Sequence, residues 1–313
     1  MWVSPLDGAW RLRREPLSCT GEVGMAQVRE KVATHEEWIE AQVPGEVHLD
    51  LMRAGEMPEP LYGLNTSQCR WPEQFSWWYR RVFTVSEEDL AADRIDLVFE
   101  GIDLAAQVYL NGQLLGESAN AFVEARFDAR PHLVAGENEV IVRVTVGTEL
   151  GEGKPDHYEV SGTPPRHEPR RIWLRKPQFS YGWDWVDSLP NIGIWRSVSL
   201  QGWRGARLAD VHARTSLCYD EQQKTWPKAQ VRTRVLVENL SATADLPLQV
   251  TFELTAPTGE RFSVERRVAA QPGLSPVDLE IAVPRPQLWW PRGLGDQPLY
   301  EVSVQLRNLA GKE

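Results

Sequence analysis

Apolar and polar residues alternate along most of this chain. Val140, Val142, Val144 and Val146 are interleaved with Ile141, Arg143 and Thr145, and Ile95, Leu97 and Phe99 with Asp96, Val98 and Glu100. A period of two sends successive side chains to opposite faces, so these segments are predicted as half-buried strands. Between Val108-Tyr109-Leu110 and Leu114-Leu115 stands Asn111-Gly112. Both central residues of a type I′ turn need positive φ, and this pair suits it best, so a hairpin is predicted there. Helical spacing is rare. Val47 and Leu51 are four apart and Gly55 follows, which predicts one short helix between residues 46 and 54. Ser86-Glu87-Glu88-Asp89 has the form of a capping box over a single turn. The first ~200 residues carry no alternating strand–helix rhythm, which points to a sandwich or jelly roll instead of a parallel α/β sheet.

Residues 150–170 interrupt the pattern with Gly151, Gly153, Pro155, Gly162, Pro164, Pro165 and Pro169. A long loop is expected there, and such loops tend to serve function. After Trp203-Arg204-Gly205 the alternation starts again, with an entry strand from Arg207 to Thr215. It continues through Val231/Thr233/Val235/Val237, Val250/Phe252/Leu254, Phe262 to Val268, Leu279/Ile281/Val283 and Tyr300/Val302/Val304/Leu306, with a turn at Pro257-Thr258-Gly259. Six or seven short strands fit an immunoglobulin-like sandwich, although the Cys pair of antibody domains is absent. The expected organisation is all-β: a jelly-roll domain over residues 1–204 and an immunoglobulin-like β-sandwich over 205–313. The last strand runs into a turn at Gly311 with no returning strand after it. That reads as a piece of a longer protein, with low stability or edge pairing to a second copy as the expected consequence.

Composition narrows the function. A hydrophobic share of 42% and a charged share of 25% are ordinary for a globular chain of 313 residues. The formal net charge of -10 argues against nucleic acid. Arg170, Arg171, Arg175 and Lys176 form a local basic cluster around Trp173, expected to meet carboxylates of its own protein or sugar hydroxyls. Cys19, Cys69 and Cys218 are widely spaced, so neither a disulfide scaffold nor a zinc site is expected, and a reducing, cytoplasmic location is the simpler reading. The start, Met1-Trp2-Val3-Ser4-Pro5, lacks the features of a signal peptide, and no apolar run of ~20 residues would cross a membrane. The sequons at Asn65 and Asn239 are therefore taken as chance matches. The histidines show no metal-ligand spacing and no phosphate loop is present, so no metal or cofactor is expected.

The densest chemistry lies in Arg175-Lys176-Pro177-Gln178-Phe179-Ser180-Tyr181-Gly182-Trp183-Asp184-Trp185. Aromatic faces stack on the C–H faces of sugar rings, and a carboxylate accepts hydrogen bonds from sugar hydroxyls. The 14 Trp of the chain point the same way, although Trp is also a common core residue. Trp183 and Trp185 would face the same side if the segment were extended, and one of them in the core stays an open alternative.

Several further segments stand in order with this one. They are Val43-Pro44-Gly45-Glu46-Val47-His48-Leu49-Asp50, Tyr62-Gly63-Leu64-Asn65, Trp77-Trp78-Tyr79-Arg80-Arg81-Val82-Phe83, Phe99-Glu100-Gly101-Ile102-Asp103 and Val108-Tyr109-Leu110-Asn111-Gly112. Gly193-Ile194-Trp195-Arg196 and Pro286-Gln287-Leu288-Trp289-Trp290-Pro291-Arg292-Gly293-Leu294-Gly295 with Gln297-Pro298-Leu299-Tyr300 follow. Together they resemble the N-terminal part of glycoside hydrolase family 2, and the Gly-Trp-Asp-Trp segment resembles the β-mannosidase branch. The resemblance implies a sugar-binding jelly roll, an immunoglobulin-like domain and then a (β/α)₈ barrel that holds both catalytic glutamates. No part of that barrel is in this chain, so no catalytic residue is expected in it.

By the same resemblance the Gly-Trp-Asp-Trp loop reaches toward the barrel's active-site mouth. Asp184 would accept hydrogen bonds from a terminal mannose, and Trp183 or Trp185 would form an apolar wall. This chain continues Val186-Asp187 where the family has Gly-Pro. Arg175 and Lys176 are expected to brace the loop or an interdomain contact, and Trp289 and Trp290 to pack between domains. The expected function is the non-catalytic part of a retaining β-mannosidase-like hydrolase acting on mannose-containing oligosaccharides, inactive by itself, with the barrel of the same polypeptide as partner. A retaining glycosidase needs two carboxyls ~5–5.5 Å apart across the scissile bond, and Asp184 with Asp187 on one loop is set aside for that task. A stand-alone carbohydrate-binding module and a purely structural β-sandwich remain the alternatives. Measurable sugar affinity without a barrel would favour the first of them.

Overall fold

The structure, a computed structural model, describes residues 1–18, 26, 38–155, 168–183 and 185–309. It divides into two compact units, Met1–Gly202 and Trp203–Glu313.

The first unit contains β1 (Trp2–Pro5), β2 (Gly8–Pro16), β3 (Ile39–Val43), β4 (Phe75–Val85), β5 (Arg94–Phe99), β6 (Ala105–Leu110), β7 (Gln113–Ser118), β8 (Ala125–Asp128), β9 (Gly136–Thr145) and β10 (Val198–Trp203). They form a six-stranded sheet in the order β3-β2-β4-β9-β6-β7 and a four-stranded sheet in the order β1-β10-β5-β8. The inward faces meet in one core that includes Leu12, Trp77, Tyr79, Leu97, Phe99, Val108, Val142 and Val144.

The strands expected to be half-buried are buried on both faces. Ile141, Arg143 and Thr145 are as enclosed as the valines between them. On the far face of the larger sheet Trp78 stacks on Tyr109 at 6.1 Å and packs with Ile141 and Trp38. The buried charged residues Arg143 and Asp96 both have partners. Arg143 donates to the Leu17 carbonyl at 3.0 Å. In β5 the buried Asp96 accepts from Arg94 at 2.7 Å and from Arg126 at 3.1 Å. Alternation identified these strands correctly but could not show that loops and neighbouring side chains cover the second face.

Local signals in the sequence are met closely. Asn111 and Gly112 adopt φ of 50° and 82°, and β6 and β7 form the expected hairpin. The Asn111 side chain accepts from the Glu139 amide at 2.9 Å and donates to Asn138 at 2.8 Å, tying the turn to β9. Ser86 and Asp89 cap each other at the helical turn Glu87–Leu90. The predicted helix spans Val47–Arg53, with Glu46 accepting from the His48 and Leu49 amides at its start.

Within that helix Asp50 is fully buried, accepting from the Gln42 amide at 3.1 Å and from Arg53 at 2.5 Å. Burial raises its pKa from 3.8 to about 6, partly countered by the Gln42 amide and by Arg53. Folding thus favours the protonated carboxyl. Its contribution is greatest below the unfolded value, is lost as pH rises from about 4 to about 6, and is flat above that. Asp50→Asn keeps the accepting oxygen and removes the titration. The stability of the variant relative to the parent chain is expected to improve by about 2 kcal/mol between pH 4.5 and pH 7. Urea unfolding of both chains at the two pH values measures that difference directly.

The second unit contains β11 (Ala206–Asp220), β12 (Thr225–Asn239), β13 (Leu246–Thr255), β14 (Arg261–Ala270), β15 (Gly273–Pro284) and β16 (Glu301–Asn308). Two three-stranded sheets, β11-β12-β15 and β14-β13-β16, face each other across a core of Val231, Val235, Val237, Leu248, Val250, Phe252, Leu279 and Ile281. In β12 every second residue from Ala229 to Asn239 is buried, the clean alternation of a strand with one wet face. The entry strand continues to Asp220, past the expected Thr215, because β12 pairs with it over nearly its whole length. Asn239, the second sequon position, is buried and donates to the Ala244 and Ala270 carbonyls. The expected turn at Gly311 lies outside the described residues.

Candidate functional site

The aromatic segment forms a loop on the first unit whose two stems are pinned to the core. On the incoming side Arg175 supplies its carbonyl to the Ala121 amide at 2.9 Å. Gln178–Tyr181 then make one 3-10 turn, and Gly182 follows at a φ of 100° that a side chain would resist. On the outgoing side the Leu189 amide reaches back to the Ser180 carbonyl at 3.0 Å. Beyond it, Gly193 exchanges two backbone hydrogen bonds with Asp103, both 2.8 Å. Gly193 has no room for a methyl group. A Cβ there would lie 2.8 Å from the Glu46 Cα and 2.9 Å from the Tyr79 hydroxyl.

Between the stems the Trp183 amide donates to the Val186 carbonyl at 3.0 Å, an antiparallel bridge between the two sides of the loop. That geometry places both Trp183 and Trp185 outside the core, 50% and 81% exposed. The open alternative of one of them in the core is thereby closed. Their rings meet edge to face, 6.2 Å apart at 62°. Phe179 is exposed beside them, and Asp187 is exposed on the outgoing side. Asp184, the residue expected to bind a sugar hydroxyl, lies outside the described residues.

The two cations before the loop part company. Arg175 is exposed, whereas Lys176 is fully buried. Lys176 donates to the Asn191 carbonyl at 2.7 Å and lies 2.8 Å from Asp103 Oδ1. Its Nζ sits 5.5 Å from the centre of the Tyr181 ring. Burial pushes the Asp103 carboxyl up and the Lys176 amine down, and each group's charge offsets part of the other's penalty. Arg170 is engaged by Glu168 at 2.5 Å, so this part of the basic cluster meets carboxylates of its own chain. Neither Asp103 nor Tyr181 had been assigned a role from the sequence. The signal was the oddity of a lysine beside an aromatic run, which becomes meaningful only once its partner is placed.

Trp289 and Trp290 lie on the second unit. Trp290 meets the Trp226 ring edge to face at 5.9 Å, and Trp226 leans on Tyr219 at 5.3 Å. Trp289 is exposed and borders an apolar groove with Leu217, Tyr300 and Val302. Among the described residues no group of three His, Cys, Asp or Glu could hold a metal ion, and no helix is long and apolar enough to cross a membrane.

Chemically, the described residues of the loop offer two exposed indole faces on a firmly anchored turn. Such faces suit contact with the apolar face of a ring.

Comparison with known proteins agrees with this division. Residues 27–196 match the glycosyl hydrolase 2 galactose-binding domain-like family, and residues 206–313 match glycosyl hydrolases family 2. Beta-mannosidase B of Emericella nidulans is 35% identical over 270 residues, covering 84% of this chain and 30% of that protein. The crystal structure of beta-D-mannosidase from Dictyoglomus thermophilum superposes with a TM-score of 0.79 at 33% identity, over 98% of this chain and 34% of that one. A putative beta-galactosidase from Bacteroides fragilis, 18% identical with a TM-score of 0.67, shares the fold over 99% of this chain and 39% of its own. The chain thus spans about a third of the length of the proteins it matches. The jelly roll and the immunoglobulin-like sandwich are those of glycosyl hydrolase family 2, and this chain belongs to that family.

Proposed function

We propose that this chain is the non-catalytic part of a β-mannosidase-like hydrolase, in which the loop bearing Trp183, Asp184 and Trp185 shapes the mouth of the active site. One observation carries the reading: a pinned, exposed aromatic turn in a chain whose relatives are named β-mannosidases. The whole polypeptide would continue into a barrel that supplies both catalytic carboxyls and would remove terminal β-D-mannose from oligosaccharides with retention. Phe122 and Val123, exposed next to the Ala121–Arg175 link, extend the apolar surface around the loop. A monomeric module gains nothing from such a surface, whereas a docked barrel would cover it. The free thiols of Cys69 and Cys218 support a reducing, cytoplasmic setting.

The test is hydrolysis of p-nitrophenyl-β-D-mannoside by this chain and by the longer polypeptide that carries the barrel. The longer form is expected to turn over and this chain to show none. A half-pocket leaves most of a ligand in water, so mannose affinity of the isolated chain is expected to be weaker than millimolar. A second reading, the stand-alone sugar-binding module, has one observation in its favour. A cleft of about 410 Å³ on the first unit is lined by Arg14, Glu15, Trp38, Glu56 and Phe75 among others. Micromolar mannoside binding by this chain, lost on Phe75→Ala and unaffected by Trp185→Ala, would select that reading.

A further inference from the structure

We infer that Lys176 is the positioning residue of the aromatic loop: its ammonium, shared by Asp103 and the Asn191 carbonyl, holds the two stems in the register that presents Trp183 and Trp185. The inference rests on the reading of that loop as a substrate-contacting element.

Three segments converge on one cation. Lys176 begins the loop, Asn191 ends it, and Asp103 belongs to the link between β5 and β6 that is itself bridged to Gly193. Removing the ammonium would leave the Asp103 carboxylate and the Asn191 carbonyl facing each other with no donor between them. A fully buried lysine is rare because its charge must leave water. Hydrophobic residues of similar volume often replace such buried pairs without loss of stability, so general stability does not explain a charge here. Register does. A methylene chain slides along an apolar wall, whereas an ammonium at 2.7 Å and 2.8 Å from two fixed oxygens does not. Tyr181, whose ring lies beside the same ammonium, carries this constraint to within two residues of Trp183. Trp183 and Trp185 stack on no described ring except each other, so their placement depends on the backbone that the clamp secures.

The decisive variant is Lys176→Met with Asp103→Asn, which removes both charges and leaves none buried alone. Hydrogen exchange is followed in peptides covering residues 178–192 and 75–85. If the clamp sets the loop, this variant keeps the slow exchange of β4 while the Trp183 and Leu189 amides exchange at least tenfold faster. In the longer polypeptide, KM for p-nitrophenyl-β-D-mannoside rises about tenfold while kcat changes less than threefold. A role confined to stability predicts the reverse split: fewer active molecules, lower apparent kcat and an unchanged KM.

Unchanged exchange in 178–192 overturns the inference, whatever the activity. So does lower kcat at constant KM. If the double variant does not fold, Asp103→Asn alone is read by the same exchange. At least threefold faster exchange at Leu189 supports the clamp, and none overturns it. Faster exchange with a longer polypeptide that never hydrolyses the mannoside leaves the clamp standing and removes the mannosidase reading instead.

Discussion

Asp184→Ala in the longer polypeptide is expected to lower kcat/KM for p-nitrophenyl-β-D-mannoside by about 10- to 100-fold. A hydrogen bond to an ionised group contributes roughly 1.5–3 kcal/mol, and each 1.36 kcal/mol is a factor of ten in rate. Asp184→Asn keeps an accepting oxygen and loses the charge, so its loss should be smaller, on the order of tenfold. Trp185→Ala removes an exposed ring without touching the core and should raise KM more than it lowers kcat, as expected when binding shared by ground and transition states is lost. These three variants decide together. Wild-type kinetics in all of them would mean that the loop does not reach substrate. Loss in Asp184→Ala with no effect of Trp185→Ala would make the loop a polar contact only.

The largest effect on stability is expected at Trp77→Ala. Trp77 is 1% exposed near the start of β4, its indole N–H donates to the Pro72 carbonyl at 3.0 Å, and its ring lies 5.9 Å from that of Trp71. Truncation leaves a cavity the size of an indole, a cost of about 3–5 kcal/mol. The loss should fall on the unfolding of the first unit, which holds Trp77. Trp185→Ala is the matched control: its ring is 81% exposed, and the expected change is within about 0.5 kcal/mol. A Trp77→Ala loss below 1 kcal/mol would mean that the first unit lacks the packed core described for it.

How far each feature could be read in advance follows from the range of its cause. The Asn111-Gly112 turn, the Ser86 capping box and the helix from Val47 are set by residues within a few positions of each other, and each forms where expected. The strands of the second unit were equally legible, since one face of β12 is wet and its side chains record the boundary between core and solvent. β9 was misread as half-buried for the complementary reason. Its second face is covered by residues distant in sequence, and Arg143 looks like a solvent residue until the Leu17 carbonyl is brought to it. The aromatic loop was legible as chemistry but not as geometry. Four aromatics in eleven residues mark a site, yet only their exposure in the folded chain shows that both indoles point outward.

By itself, then, the sequence determined the all-β class, the two sandwiches, the local turns and the family, because each rests on residue types and short spacings. Tertiary structure alone decided which face of each strand is dry, why Lys176 is buried while its neighbour Arg175 is not, and how the loop is held. Those outcomes depend on which distant oxygen or side chain arrives at a given point. Asp103 lies 73 positions from Lys176, as their numbers show, and no local pattern in the chain encodes their 2.8 Å contact.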